Sequence, residues 1–226
     1  MSKETSTTDK ILTLTFAGGT GNVTGANFLV EGEGIKFLVD CGLEQGTKSA
    51  DDKNWAPFIY DPASIDALFI THAHIDHILG NSFVKRTYNL DYYLHREDLT
   101  TLHSVVNYAH VYGFHGYEPS PEPTHFLNHG DKLVFGGIEL DVFFTPGHAP
   151  GHVVFYNAEN KFVINGDVLF NGSFGRVDLP GGDIEILKKS IHEIMFQLPE
   201  DTIVHCGHGP ATTIGKEKRS NYILNF

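Results

Sequence analysis

Residues Thr71 to Gly80 read T-H-A-H-I-D-H-I-L-G and place three imidazoles and one carboxylate within the six positions from His72 to His77. Imidazole nitrogen and carboxylate oxygen are the donor set of zinc, iron and manganese sites, so any fold of this chain must bring these side chains together rather than scatter them. The apolar run Ile65 to Ile70 before them reads as a buried strand. His72 and His74, two residues apart at its end, can point the same way, and the turn that follows swings Asp76 and His77 to a neighbouring position. The stretch is the outline of a metal site at the carboxyl end of a strand.

Length and charge narrow what such a site can serve. The chain of 226 residues is long enough for one large domain with a sizeable core, expected over residues 11–226 after a disordered tail, residues 1–10. Its 24 glycines point to many tight turns and a strand-rich fold. A net charge of -12 opposes a polyanion, which a basic surface must meet, so a small-molecule substrate is expected rather than a nucleic acid. No apolar run approaches the length of a membrane span, and Met1 to Lys10 lacks the apolar core of a signal peptide. A cytoplasmic location follows as the expectation, with Cys41 and Cys206 as reduced thiols.

Alternating or continuous apolar runs predict strands at Ile11 to Phe16, Asn27 to Val30, Ile35 to Val39, Asp91 to Leu94 and, from Thr124 onward, at six further places, the last Thr202 to His205. Helices are expected over Asp76 to Arg86, Arg96 to Val106 and Asp183 to Leu198, the last with Asp183 as its N-cap. Between Asn107 and Pro123 a loop carries Tyr108, His110, Tyr112, Phe114, His115 and Tyr117, a candidate substrate wall in which Tyr112 and His115 are potential contacts.

Three later segments each follow a strand with a glycine turn and a metal-competent side chain: Thr145-Pro146-Gly147-His148, Asn165-Gly166-Asp167 and Cys206-Gly207-His208-Gly209. With the first cluster they supply five histidines and two aspartates, more than one four-coordinate ion can use, so two ions are expected. Ligands of these types accept zinc, the first expectation, and also iron or manganese. Asp40, at the end of its strand, and His152, in T-P-G-H-A-P-G-H, are candidates to hold a ligand or loop by a hydrogen bond. His95, His103, His125, His129, His192 and His205 read as packing or surface residues.

T-H-A-H-I-D-H, T-P-G-H, N-G-D and G-H-G, in this order, resemble the metallo-beta-lactamase superfamily. The resemblance implies an α/β fold, a four-layer αββα sandwich with the site at one edge of the sheets. It puts His72, His74 and His148 on one divalent metal ion and Asp76, His77 and His208 on a second, with Asp167 bridging them. It also implies a hydrolase in which a water bridging the two ions is the nucleophile and Asp76 serves in catalysis as well as in ligation.

Two branches of the superfamily are echoed. The stretch Gly18 to Gly46 with D-P-A-S-I-D-A-L-F-I-T-H-A-H-I-D-H resembles the beta-CASP RNA-processing nucleases, whereas N-G-D-V-L-F-N-G-S-F-G-R-V-D-L-P-G-G-D and the segments around it after Ile78 resemble small glyoxalase II-like hydrolases. This division implies a recombinant of two related parents joined near His77. The second part implies thioester hydrolysis, with Arg176 positioned to meet the substrate. The alternatives are a phosphodiesterase or nuclease, a one-iron persulfide dioxygenase, and a metal-binding scaffold with little activity.

Overall fold

The structure is a computed structural model that describes residues 12–18, 25–43 and 58–226. The expected tail, residues 1–10, lies outside the described residues, as do residues 19–24 of the first glycine loop and residues 44–57 of the polar segment after Cys41.

The first sheet has six strands in chain order: β1 (Thr13–Gly18), β2 (Asn27–Gly32), β3 (Ile35–Val39), β4 (Ala67–Phe69), β5 (Asp91–His95) and β6 (His125–Leu127). Three helices cover its outer face: α1 (Ile75–Ile78), α2 (Asn81–Tyr88) and α3 (Leu99–Tyr108). The second half begins with β7 (Lys132–Phe135), β8 (Ile138–Phe144), β9 (Val153–Asn157) and β10 (Phe162–Ile164). A small hairpin, β11 (Leu169–Phe170) and β12 (Ser173–Phe174), leads to helix α4 (Ile184–Glu193). Strands β13 (Ile203–His205) and β14 (Thr212–Thr213) complete a second six-stranded sheet in the order β14-β13-β10-β9-β8-β7, and helix α5 (Ile214–Ser220) follows.

Strand periodicity divides the core into three layers. Phe28, Val30, Phe37 and Val39 face inward and meet Leu140, Val142, Val153 and Phe155 of the other sheet in one buried cluster. Leu29, Leu38 and Leu68 face outward against Ile78, Val84, Leu102 and Val105 of the first helical layer. Val154, Val163 and Val204 do the same under Leu187 and Ile191 of α4 and Ile214 of α5. Both faces of the central strands are therefore buried, which is why they read as unbroken apolar runs rather than as alternating ones. Each such side chain contributes about 1.5–3 kcal/mol by burial. The expected αββα sandwich is the observed one.

Three local expectations change. The helix foreseen over Asp76 to Arg86 breaks at Gly80, whose amide donates to the Cys41 carbonyl at 2.8 Å. A Cβ at position 80 would stand 2.5 Å from Cys41 Sγ and 2.9 Å from its carbonyl oxygen, so only glycine lets the Cys41 backbone dock there. The helix foreseen to Leu198 is α-helical only to Glu193; Ile194, at φ -120°, leads into a 3-10 turn over Met195–Gln197. Its predicted cap stands, with Asp183 Oδ1 accepting from the amides of Glu185 at 2.8 Å and Ile186 at 3.0 Å. The third change is in the aromatic loop, where α3 runs on to Tyr108 and a 3-10 turn continues through Ala109–Tyr112.

Candidate metal centre

All seven predicted ligands converge at one edge of the sandwich. His72 and His74 leave the end of the first sheet, Asp76 and His77 ride on the single turn of α1, and His148, Asp167 and His208 come from turns after strands of the second sheet. They form three overlapping triads, His72-His74-His148, His72-His77-Asp167 and Asp76-His77-His208, with donor atoms within 4.8 Å of one another in each. His74 Nδ1 and His72 Nε2 lie 2.9 Å and 3.2 Å from His148 Nε2. On the other side His208 Nε2 lies 3.0 Å from Asp76 Oδ2 and 3.1 Å from Asp167 Oδ2. Asp167 faces both groups, its Oδ2 3.6 Å from His148 Nε2 and its Oδ1 3.6 Å from His77 Nε2.

The remote nitrogens show which lone pairs point inward. His148 Nδ1 lies 2.7 Å from the Arg176 carbonyl, which can only accept, so Nδ1 carries the proton and Nε2 offers its lone pair to the centre. His77 Nδ1 donates to Asp40 Oδ2 at 2.7 Å. Thr71 Oγ1 donates to the same oxygen at 2.8 Å and stands 3.1 Å from His72 Nδ1, whose proton it can accept. His152 Nε2 accepts the Asp167 amide at 3.0 Å, and its ring stacks on His72 with centroids 4.7 Å apart. Asp40 and His152, both fully buried, each hold a neighbouring ring or backbone amide by a hydrogen bond.

A metal ion fits this arrangement on two observations. His77 Nε2 and Asp167 Oδ1 are buried without a hydrogen-bond partner, which is costly unless something else meets them. Moreover, with the His72 and His148 protons on their remote Nδ1 atoms, two lone pairs face each other at 3.2 Å, close to the about 3.3 Å between nitrogens on a tetrahedral zinc at its usual bond length. Electrostatics agree. Burial keeps His72 and His74 neutral, the ligating form, with His74 pushed down to about 3. At His77 and His208 burial is outweighed by carboxylates, Asp40 and Asp167 at the first, Asp167 and Asp76 at the second; His77 is raised and His208 reaches about 9. Asp167 is held well below the usual carboxylate range because the facing imidazoles overcome its burial. The protons held there mark positions where positive charge is favoured.

Above the centre opens a cavity of about 1130 Å³, lined on the metal side by His74, Asp76, His148, Asp167 and His208. Tyr112 and Arg176 lie in its wall as expected. His115 does not. The chain reverses at Gly113, φ 90°, packing Phe114 and Tyr117 against the first core cluster and leaving His115 exposed in solvent.

Two supporting residues escaped the sequence reading. Thr71 bridges Asp40 and His72, and its place at the head of the T-H-A-H run was the available signal. Asp98 is fully buried and accepts the amides of Ala73 at 2.6 Å and Gly151 at 2.7 Å, tying the first histidine loop to the loop of His148. In H-R-E-D-L it reads as an ordinary acidic residue opening a helix.

Comparisons with known proteins agree with this architecture. The family profile of the metallo-beta-lactamase superfamily matches residues 20–208. The chain is 41% identical to "Probable metallo-hydrolase YqgX" of Bacillus subtilis, over 70% of this chain and 75% of that protein. It is 36% identical to "Hydroxyacylglutathione hydrolase GloC" of Haemophilus influenzae, over 72% and 77%. Among solved structures, TTHA1623 in a di-iron-bound form superposes with a TM-score of 0.69 and 33% identity, covering 95% of each chain. One related protein therefore runs through the junction near His77, and the two-part resemblance needs no joining of two parents. No helix among the described residues is long and apolar enough to cross a membrane. With four motifs in order on an αββα sandwich and a profile match over most of its length, the chain belongs to the metallo-beta-lactamase superfamily.

Proposed function

We propose that this protein is a metal-dependent hydrolase that cleaves thioesters, with His72, His74 and His148 holding one divalent ion, Asp76, His77 and His208 a second, and Asp167 both. The observation that carries the reading is two groups of donors at the floor of a large cavity with Asp167 facing both, 3.6 Å from His148 and 3.1 Å from His208. Two divalent ions there supply a water activated near neutral pH and a Lewis acid for the oxygen that gains charge. The chain's own residues fix that chemistry in place. The Arg176 carbonyl holds the His148 ring, Asp40 holds the His77 ring, and His152 holds the Asp167 backbone, so the donor atoms are preorganised. Asp76 is the most exposed of the carboxylates in the centre and faces the cavity, where it can take a proton from the reacting water. The net reaction adds one water: a carbon-oxygen bond forms, the carbon-sulfur bond breaks, and a thiol, a carboxylate and a proton leave.

The thioester assignment draws on the GloC relative, and the presence of His208 beside Asp76 and Asp167 favours two ions over the single iron of a dioxygenase. Zinc is the first ion to test and iron the second, given the di-iron form of TTHA1623. Location in the cytoplasm remains part of this proposal. The test is a panel of thioester, phosphodiester, lactone and beta-lactam substrates with zinc-loaded and iron-loaded protein. The highest kcat/KM is expected with a thioester; a higher value with a phosphodiester would move the assignment to that class.

A further inference from the structure

We infer that the cavity selects uncharged thioesters carrying an apolar or aromatic group, and that Asp178 sets this preference by cancelling the charge of Arg176; the inference rests on the thioester reading above. Besides the donor groups, the cavity wall carries Ile75, Val111, Phe170, Phe174, Leu179 and Pro180, surfaces that bind by excluding water, and the uncharged hydroxyls of Thr100, Ser104 and Tyr108. Among the described residues Arg176 is the only lysine or arginine in that wall.

Its guanidinium is already engaged. Nε donates to Asp178 Oδ1 at 2.7 Å and Nη2 to Asp178 Oδ2 at 2.6 Å, a bidentate fork that uses both carboxylate oxygens. The backbone of Arg176 is pinned as well, because its carbonyl accepts from His148 Nδ1 at 2.7 Å. The side chain therefore works from a fixed point beside the metal centre. An anionic substrate group must either displace Asp178 from the fork, leaving that carboxylate uncompensated beside it, or bind beside a guanidinium whose charge is already cancelled, in a chain whose net charge is -12. A glutathione conjugate, with two carboxylates, meets this obstacle twice. A neutral thioester meets none and gains contact with Phe170 and Phe174.

The experiment separates binding from turnover. Two thioethers are titrated into the zinc-loaded protein: S-(2-phenylethyl)-N-acetylcysteamine, which is neutral, and S-(2-phenylethyl)-2-mercaptoethanesulfonate, an anion whose sulfonate is a weak metal ligand. Neither can be hydrolysed. The neutral compound is expected to bind at least about tenfold more tightly, a preference of the size a single wall charge can set. In Asp178→Asn the gap should narrow about two- to fivefold as the guanidinium is released, the discounted effect of an exposed pair. Asp201→Asn, which removes the partner of Lys161 away from the cavity, should leave the ratio as in the wild type. Equal or tighter binding of the anion by the wild type, or an unchanged ratio in Asp178→Asn, would overturn the inference. The matching phenylacetyl thioesters are then assayed for hydrolysis. No turnover, with the neutral thioether still preferred, would refute the thioesterase reading and leave the charge preference standing.

Discussion

Replacing Asp40 by asparagine changes one atom at the back of the metal centre and should weaken the site from there. Asp40 has φ 62°, a left-handed conformation that asparagine adopts readily, so the backbone is not perturbed. Its carboxylate is fully buried and accepts from the Thr71 amide at 2.8 Å, the Thr71 hydroxyl at 2.8 Å and His77 Nδ1 at 2.7 Å. An asparagine that keeps the Thr71 amide turns its own NH2 toward His77. The ring must then accept at Nδ1 and carry its proton on Nε2, the atom that faces Asp76 and Asp167. A protonated Nε2 cannot bind a metal ion. Loss of the charge-assisted bond costs about 1.5–3 kcal/mol, and loss of such supporting contacts weakens metal binding about 10–100-fold. Competition with a chelator would measure the affinity of each ion, and nitrogen-15 shifts of His77 would report its tautomer. The reasoning fails if His77 switches tautomer while both ions bind within about twofold of wild-type affinity, a change far below that range.

Further outcomes follow from the same geometry. Asp98→Ala orphans the amides of Ala73 and Gly151, at about 1–3 kcal/mol each, so denaturant melting should show a loss of that order together with weaker metal binding. Gly207→Ala would place a Cβ 2.4 Å from Asp167 Oδ1 and 3.0 Å from His77 Cε1, and elemental analysis should find reduced metal content in a protein that still folds. Burial lowers His205, packed between Phe16 and Phe162, to about 4. Its ordinary value is about 6.5 in the unfolded chain, so its contribution is complete above that pH and is lost as the pH falls toward the folded value. After discount for partial exposure this amounts to about 1–2 kcal/mol, and His205→Leu should flatten the fall in stability across that window.

The candidate ligands were legible because each stands in a short local pattern, a histidine run or a glycine turn after a strand, and local patterns survive in sequence. The strands were legible from their apolar runs, and the four-layer sandwich from the resemblance to the metallo-beta-lactamase superfamily that the motifs carry. What stayed hidden depends on partners distant in the chain. Asp98 bonds to residues 25 and 53 positions away, and nothing local distinguishes it from a helix-opening acid. The break at Gly80 was masked by Ile78, Leu79 and Phe83, which keep helical spacing across it, while its cause is the Cys41 backbone. Tyr112 and His115 were indistinguishable as loop aromatics until the reversal at Gly113 sent one to the cavity and the other to solvent.

Metal stoichiometry tests the central claim most directly. Protein saturated with zinc, or separately with iron, and freed of excess ion should contain two ions per chain. His74→Ala and His208→Ala should each lower that content, whereas His95→Ala, whose ring stacks on Phe144 away from the centre, should retain both. Equal metal content in all three variants, or a wild-type protein that binds a single ion unaffected by His208→Ala, would contradict the two-metal centre.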